Sequence, residues 1–133
     1  MKKCMLSLAL FAAASCIYET AYYFTFCNHS DYDITVIVDL DTGDSAPSPG
    51  SQCTHVENNS TGYVSANDPW SKIIKDSIYI YLVNKDMVDI PSYRLLSEYD
   101  ASRITQEMIL ERFTVHHSDV IDGDFKITFP LNH

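Results

Sequence analysis

The chain has 133 residues, 9 Lys plus Arg against 18 Asp plus Glu, a formal net charge of -9, and 46% hydrophobic residues. Its length suits one domain, its acidic balance excludes the basic stripe that neutralises nucleic-acid phosphates, and six Phe, nine Tyr and one Trp exclude a chain without a core. No apolar run approaches the ~20 residues of a membrane-spanning helix.

Met1-Lys2-Lys3 provides a short basic start, residues 5–14 (MLSLALFAAA) an uncharged apolar run, and Ala13, Ala14 and Ser15 a small-residue site. This is the layout of a secretory signal peptide, with an apolar region too short to remain as an anchor. Residues 1–15 are therefore expected to be removed. Cys16 follows directly, and Ala13-Ala14-Ser15-Cys16 resembles a bacterial lipobox, although Ala13 stands where Leu is most common. That resemblance implies lipidation of Cys16 as the new N-terminus and residues 16–21 as a tether. The alternative is ordinary cleavage near Ala14, giving a soluble secreted protein with Cys16 as a free thiol. Several acyl chains on one cysteine hold a protein stably on a membrane, whereas one chain is marginal. Loss of Lys2 and Lys3 takes the formal charge from -9 to -11. Such a surface is repelled by anionic headgroups, so the lipid alone would provide the attachment.

Residues 22–27 (YYFTFC) and 34–40 (ITVIVDL) have the aromatic and β-branched composition of strands. In the second, Ile34, Val36, Val38 and Leu40 share one face, and Ile37 alone breaks the alternation. The polar Asn28-His29-Ser30-Asp31 between them predicts a turn and, with its flanks, a β-hairpin over residues 22–40. Residues 41–50 (DTGDSAPSPG) read as a loop, 53–56 as a short strand, and 57–62 as another polar stretch. Asp68-Pro69 predicts a helix start, with Asp68 as N-cap and Trp70, Ile73 and Ile74 as the buried stripe. Residues 78–83 (IYIYLV), apolar on both faces, predict a central strand covered on both sides. A short strand over 93–96 follows. Thr105 reads as the cap of a helix from Gln106 to about Phe113. Residues 119–124 form a turn, and Phe125, Ile127 and Phe129 alternate along a last strand that Pro130 stops.

The expected fold is mainly β, with α+β as the alternative. It is a small antiparallel β-sandwich-like domain with one or two short helices over residues 22–133. The order of parts adds a resemblance. A lipobox-like start, the Asn28-His29-Ser30 turn, a Pro-rich loop and the lone Trp70 are followed by an apolar strand ending in Asn84-Lys85-Asp86-Met87. Residues 95–100 (LLSEYD) lead toward a helix, and Ile127-Thr128-Phe129-Pro130 closes the pattern. The chain in this respect resembles the small lipoproteins of Bacteroides and related gut bacteria. It departs from them at Glu98, where a basic residue is usual, and over residues 114–124, which read as an insertion. The resemblance implies an outer-membrane lipoprotein of the cell envelope and brings no catalytic residue to carry over.

Cys27 and Cys53 are the two cysteines within the folded body. In an exported chain they suggest a disulfide. Two unpaired thiols are a second reading. A third is zinc held by the Cys-x-His pairs Cys27, His29 and Cys53, His55, since alternate residues of a strand share a face. The Cys-x-His spacing is narrower than usual for zinc. Residues 39–44 (DLDTGD) faintly resemble the start of a calcium loop, but Gly50 stands at the twelfth position, where the bidentate Glu belongs, and turn chemistry explains these aspartates without an ion. His116 and His117 are adjacent, a poor chelate on a strand. No nucleophile elbow, metalloprotease, phosphate-loop or dinucleotide motif is present, so no cofactor is implied. Asp44-Ser45-Ala46 and Asp76-Ser77-Ile78 resemble the O-glycosylation acceptor pattern of this bacterial group, with Ser45 in the more exposed context. The expected role is a lipid-anchored module that binds an envelope protein or glycan. A small hydrolase or metal-dependent enzyme is the alternative, motivated by the Cys-x-His pairs and acidic loops.

Overall fold

The computed structural model describes residues 21–41, 46–92 and 94–130. The chain is mainly β, as its composition predicts, with two sheets packed face to face. Strands β1 (Tyr22–Asn28), β4 (Ser60–Ala66) and β8 (Phe125–Phe129) form a three-stranded sheet in the order β4-β1-β8. Strands β2 (Ile34–Asp39), β3 (Gln52–Val56), β5 (Ser77–Asn84), β6 (Arg94–Leu95) and β7 (Ile109–His116) form a five-stranded sheet in the order β6-β3-β2-β5-β7. All pairs are antiparallel except β1 with β8.

Between the sheets lies the larger core. Phe24 and Phe26 from β1, Ile34, Val36 and Val38 from β2, and Ile78, Ile80 and Leu82 from β5 are all buried there. Phe125 stacks on Phe24 with ring centroids 4.6 Å apart and meets Trp70 edge-on at 5.3 Å. Burial at this scale is the main stabilising term, since each such side chain contributes roughly 1.5–3 kcal/mol on leaving water.

The five-stranded sheet buries its other face too. Ile37, Cys53, Tyr81 and Val83 point to that side and pack with Val88, Ile90, Leu96 and Ile104 from the segment crossing it. This explains why Ile37 breaks the alternation of β2: both faces of that strand are buried throughout. The covered-on-both-sides reading of β5 holds for the same reason. The crossing segment includes a helix over Glu98–Arg103, where Ser97 Oγ accepts from the Asp100 N–H. Arg103 ties this helix down, donating to the Asp89 carbonyl and to Asp100 Oδ1.

The hairpin expected over residues 22–40 does not form. β1 and β2 lie in different sheets, and the chain arches between them. β3 and β4 are joined by a second arch, with Asn59 at a φ of 59°. The two arches are stitched together by Asn28, which is fully buried. Its Nδ2 donates to the carbonyls of Tyr32, Val56 and Glu57, and its Oδ1 accepts from the Ser30 N–H and hydroxyl. The polar turn residues thus do satisfy backbone locally, but in a corner that changes sheets. At the second arch Gly62 comes so close to Val56 that an added Cβ would lie 2.5 Å from Cγ2.

The helix expected from Gln106 to Phe113 is also replaced. A single 3-10 turn spans Gln106–Met108, the Thr105 side chain makes no capping hydrogen bond, and Ile109–His116 is an edge strand on β5. Phe113 and Val115 pair with Ile80 and Ile78 and pack against the inner core, the register shift at Leu82/Val83 falls at Leu110, which also packs there, and Arg112 lies over the Tyr79 ring at 4.5 Å. At Asp68-Pro69 the helix is Trp70–Ile73, and Pro69 rather than Asp68 occupies the N-cap position, without a side-chain cap. β4, within and beyond the polar stretch 57–62, is the strand that composition hid.

Candidate functional site

Cys16 and Ser45 lie outside the described residues. Ser77, the other serine in an acceptor-like context, opens β5 opposite His116. Cys27 and Cys53 are both free thiols, which overturns the expected disulfide. Geometry gives the reason. Cys27 alternates with Phe24, Phe26 and Asn28 along β1 and so lies on the outer face of the three-stranded sheet. Cys53 points into the cluster on the far face of the other sheet. The two thiols therefore look away from each other across the whole sandwich.

The same separation divides the two Cys-x-His pairs. His55 shares the face of Cys53, where its Nε2 donates to the Ile90 carbonyl and its backbone N–H donates to Ser92 Oγ. His29 follows β1, its backbone N–H bonded to the Phe129 carbonyl. The four residues do not converge, and among the described residues no three His, Cys, Asp or Glu side chains come together in a metal-sized group. Asp39, the first residue of the calcium-like spacing, is buried and uses its carboxylate to accept from the Asp41 and Ser48 N–H groups. It closes the loop from within. His116 and His117 are exposed at the end of β7 and the turn after it.

Perturbed acids and bases gather on the far face of the five-stranded sheet. Burial, reinforced by the negative Asp100, pushes the Cys53 thiol up to about 11. Burial also raises the Tyr81 phenol, opposed by its bond to Arg112. The Arg103 guanidinium bonded to Asp100 holds that carboxyl below its ordinary range. These groups pack the crossing segment against the sheet, and none of them lines the cleft at the end of the sandwich.

That cleft is the feature sequence reasoning missed. It opens where β2 and β4 end and β3 begins, beside the Trp70–Ile73 helix, with a volume of about 190 Å³. Val38, Trp70, Ile73 and Ala66 line it from the core, and Leu40 and Leu95 line it with 55% and 67% of their surface exposed. Trp70 is only 3% exposed, and its buried Nε1 has no hydrogen-bond acceptor among the described residues. The backbone holds the ring in place: the Trp70 N–H donates to the Gly123 carbonyl at 2.9 Å, and Gly123 sits at a φ of 87° that suits glycine. The sequence signals a buried Trp70 through its helical spacing with Ile73 and Ile74. Nothing in it signals an unpaired indole, because that depends on which neighbours the fold brings up.

Among the described residues no helix is long and apolar enough to cross a membrane. Comparison of the chain with protein-family models, curated proteins and solved structures finds no match.

Proposed function

We propose that this protein is an exported module of the bacterial cell envelope, held on the outer membrane by lipid at Cys16 and acting by binding a partner. One observation carries the reading: a basic start and an apolar run of signal-peptide length lead through Ala13-Ala14-Ser15 directly to Cys16. The acidic charge supports attachment by lipid rather than by electrostatics. A binding role agrees with the lack of any catalytic motif in the sequence and with an apolar cleft beside a sole tryptophan.

Metabolic labelling with a clickable palmitate analogue tests the anchor. The wild-type chain should take up label and sediment with membranes, and Cys16→Ala should lose both. A Cys16→Ala protein that still sediments with membranes would sink the proposal. A mature wild-type N-terminus beginning at Ser15 and free of lipid would assign the soluble secreted form.

A further inference from the structure

We propose that this protein pairs with a second copy of itself through the free edge of β4, joining the two three-stranded sheets into one of six strands, in the order β8-β1-β4-β4-β1-β8. The pairing adds to the binding role above and does not depend on lipid at Cys16.

The sheet edges differ in how they are blunted. An exposed edge presents a row of unpaired N–H and C=O groups, and proteins guard it with short strands, charges, proline or bulges. β6 is two residues long, β7 carries Glu111, Arg112 and a register shift, and β8 carries Lys126 and stops before Pro130. β4 has none of these guards. It runs for seven residues (STGYVSA) without a charge or a proline, in unbroken register with β1. Among the described residues β1 is the only strand paired with it, and Ser60, Thr61, Tyr63 and Ser65 are exposed along it.

The sequence of β4 favours its own copy. Opposite residues of an antiparallel pair share a face, so a strand meeting its copy about a twofold axis has one residue opposite itself. With Tyr63, the midpoint of β4, in that place all seven residues pair. On the outer face Tyr63 meets the partner's Tyr63, and Thr61 meets the partner's Ser65. On the inner face Val64 meets the partner's Gly62, and Ala66 meets the partner's Ser60. Aromatic pairs and hydroxyl pairs placed in this way stabilise antiparallel ladders. Tyr63 already packs edge-on with Tyr23 at 6.0 Å, so the contact makes a row of four tyrosines across the two copies. The new ladder matches in length the one that holds β4 to β1.

Charge points the same way. A chain of net charge -9 repels its copy over most of its surface, and β4 is the sheet edge that brings no charge to the contact. The nearest charges lie beyond its ends, at Glu57 and Asp68, and Asp68 has the Lys72 ammonium 3.7 Å away. A cationic foreign strand would find no carboxylate on β4 to recognise.

Cysteine cross-linking of the full chain reads the register, in cells that export it and with Cys27→Ser as the parent. With a short bismaleimide, Tyr63→Cys should form a homodimer at least about tenfold more than Lys126→Cys, since opposite Cβ atoms lie about 5 Å apart and the two β8 strands ~24 Å. Thr61→Cys alone should match Lys126→Cys, because its copy lies four residues along, ~13 Å away. Adding Ser65→Cys to Thr61→Cys should bring the dimer back. Tyr63→Lys, which sets two positive charges face to face, should turn the detergent-purified dimer into a monomer in sedimentation while its circular dichroism stays unchanged. The outward amides of β4 should exchange faster on dilution, as the copies part. Equal cross-linking from positions 61, 63 and 126 would mean random collision and overturn the proposal. So would a parent chain that sediments as a monomer at about 0.1 mM, where even a weak dimer forms. Cross-linking of Tyr63→Cys to a different protein, with no homodimer, would overturn it and reassign the edge to a foreign strand. Palmitate labelling reads Cys16 and cross-linking reads β4, so either proposal can fail while the other stands.

Discussion

Cys27 and Cys53 look equivalent in sequence, each the first residue of a Cys-x-His pair, yet their surroundings give them different chemistry. Cys53 is fully buried with its thiol pushed up to about 11, so near pH 8 only about one molecule in a thousand carries the reactive thiolate. Cys27 is part-exposed on the outer face of the three-stranded sheet. Iodoacetamide at pH 8 without reductant should therefore alkylate Cys27 in the native protein, and Cys53 only after urea unfolding, as read by peptide mass mapping. Labelling of Cys53 at the rate of Cys27 would contradict its burial, and protection of both until reductant is added would restore the disulfide. Trp70 carries the same lesson. Its burial is legible from spacing, whereas its unpaired Nε1 is a property of its neighbours.

Among the elements, the arches and β7 show where local preference yielded to packing. A strand–polar turn–strand pattern reads as a hairpin, because sequence neighbours usually pair. Here Asn28 draws the turn into a corner by sharing its two amide N–H bonds among three carbonyls from both arches. Asn28→Asp keeps the size but removes those donors and faces a negative charge toward the carbonyls. It should cost about 3 kcal/mol or more at pH 7, since each stranded buried polar group costs about 1–3 kcal/mol. A lowered urea midpoint at unchanged slope is the expected readout, and a loss under about 1 kcal/mol would mean that water replaces the amide. In β7, Ile109, Phe113, Thr114 and Val115 carry β-forming character that a helical spacing of Ile104, Met108 and Arg112 masked. The open edge of β5 decided between them, offering a full ladder of backbone partners to the segment.

At the scale of the molecule, the five-stranded sheet is a middle layer with apolar clusters on both faces, and the three-stranded sheet covers one of them. Strands β2 and β5 sit inside that layer, paired on both edges. Their amides should exchange with deuterium most slowly, through global unfolding, while those facing outward along the β4 edge should exchange through local opening. Faster exchange in β5 than in β4 would show that the crossing segment 85–108 does not hold its cover. The cleft belongs to this scale as well, since β2, β3, β4, β6 and the Trp70–Ile73 helix all contribute to it.

Composition and patterning by themselves determined the β class, the buried central strand over residues 78–83, the last strand and the burial of Trp70. These depend on side-chain volume and period, which are local and additive. Only the tertiary structure decided which strands pair, that β1 and β2 part company, that Cys27 and Cys53 face away from each other, and that an indole N–H lies unpaired beside an apolar cleft. Pairing and facing depend on contacts between residues far apart in the chain. Many arrangements share the same local pattern, and the lowest free energy among them is set by how the two core clusters close.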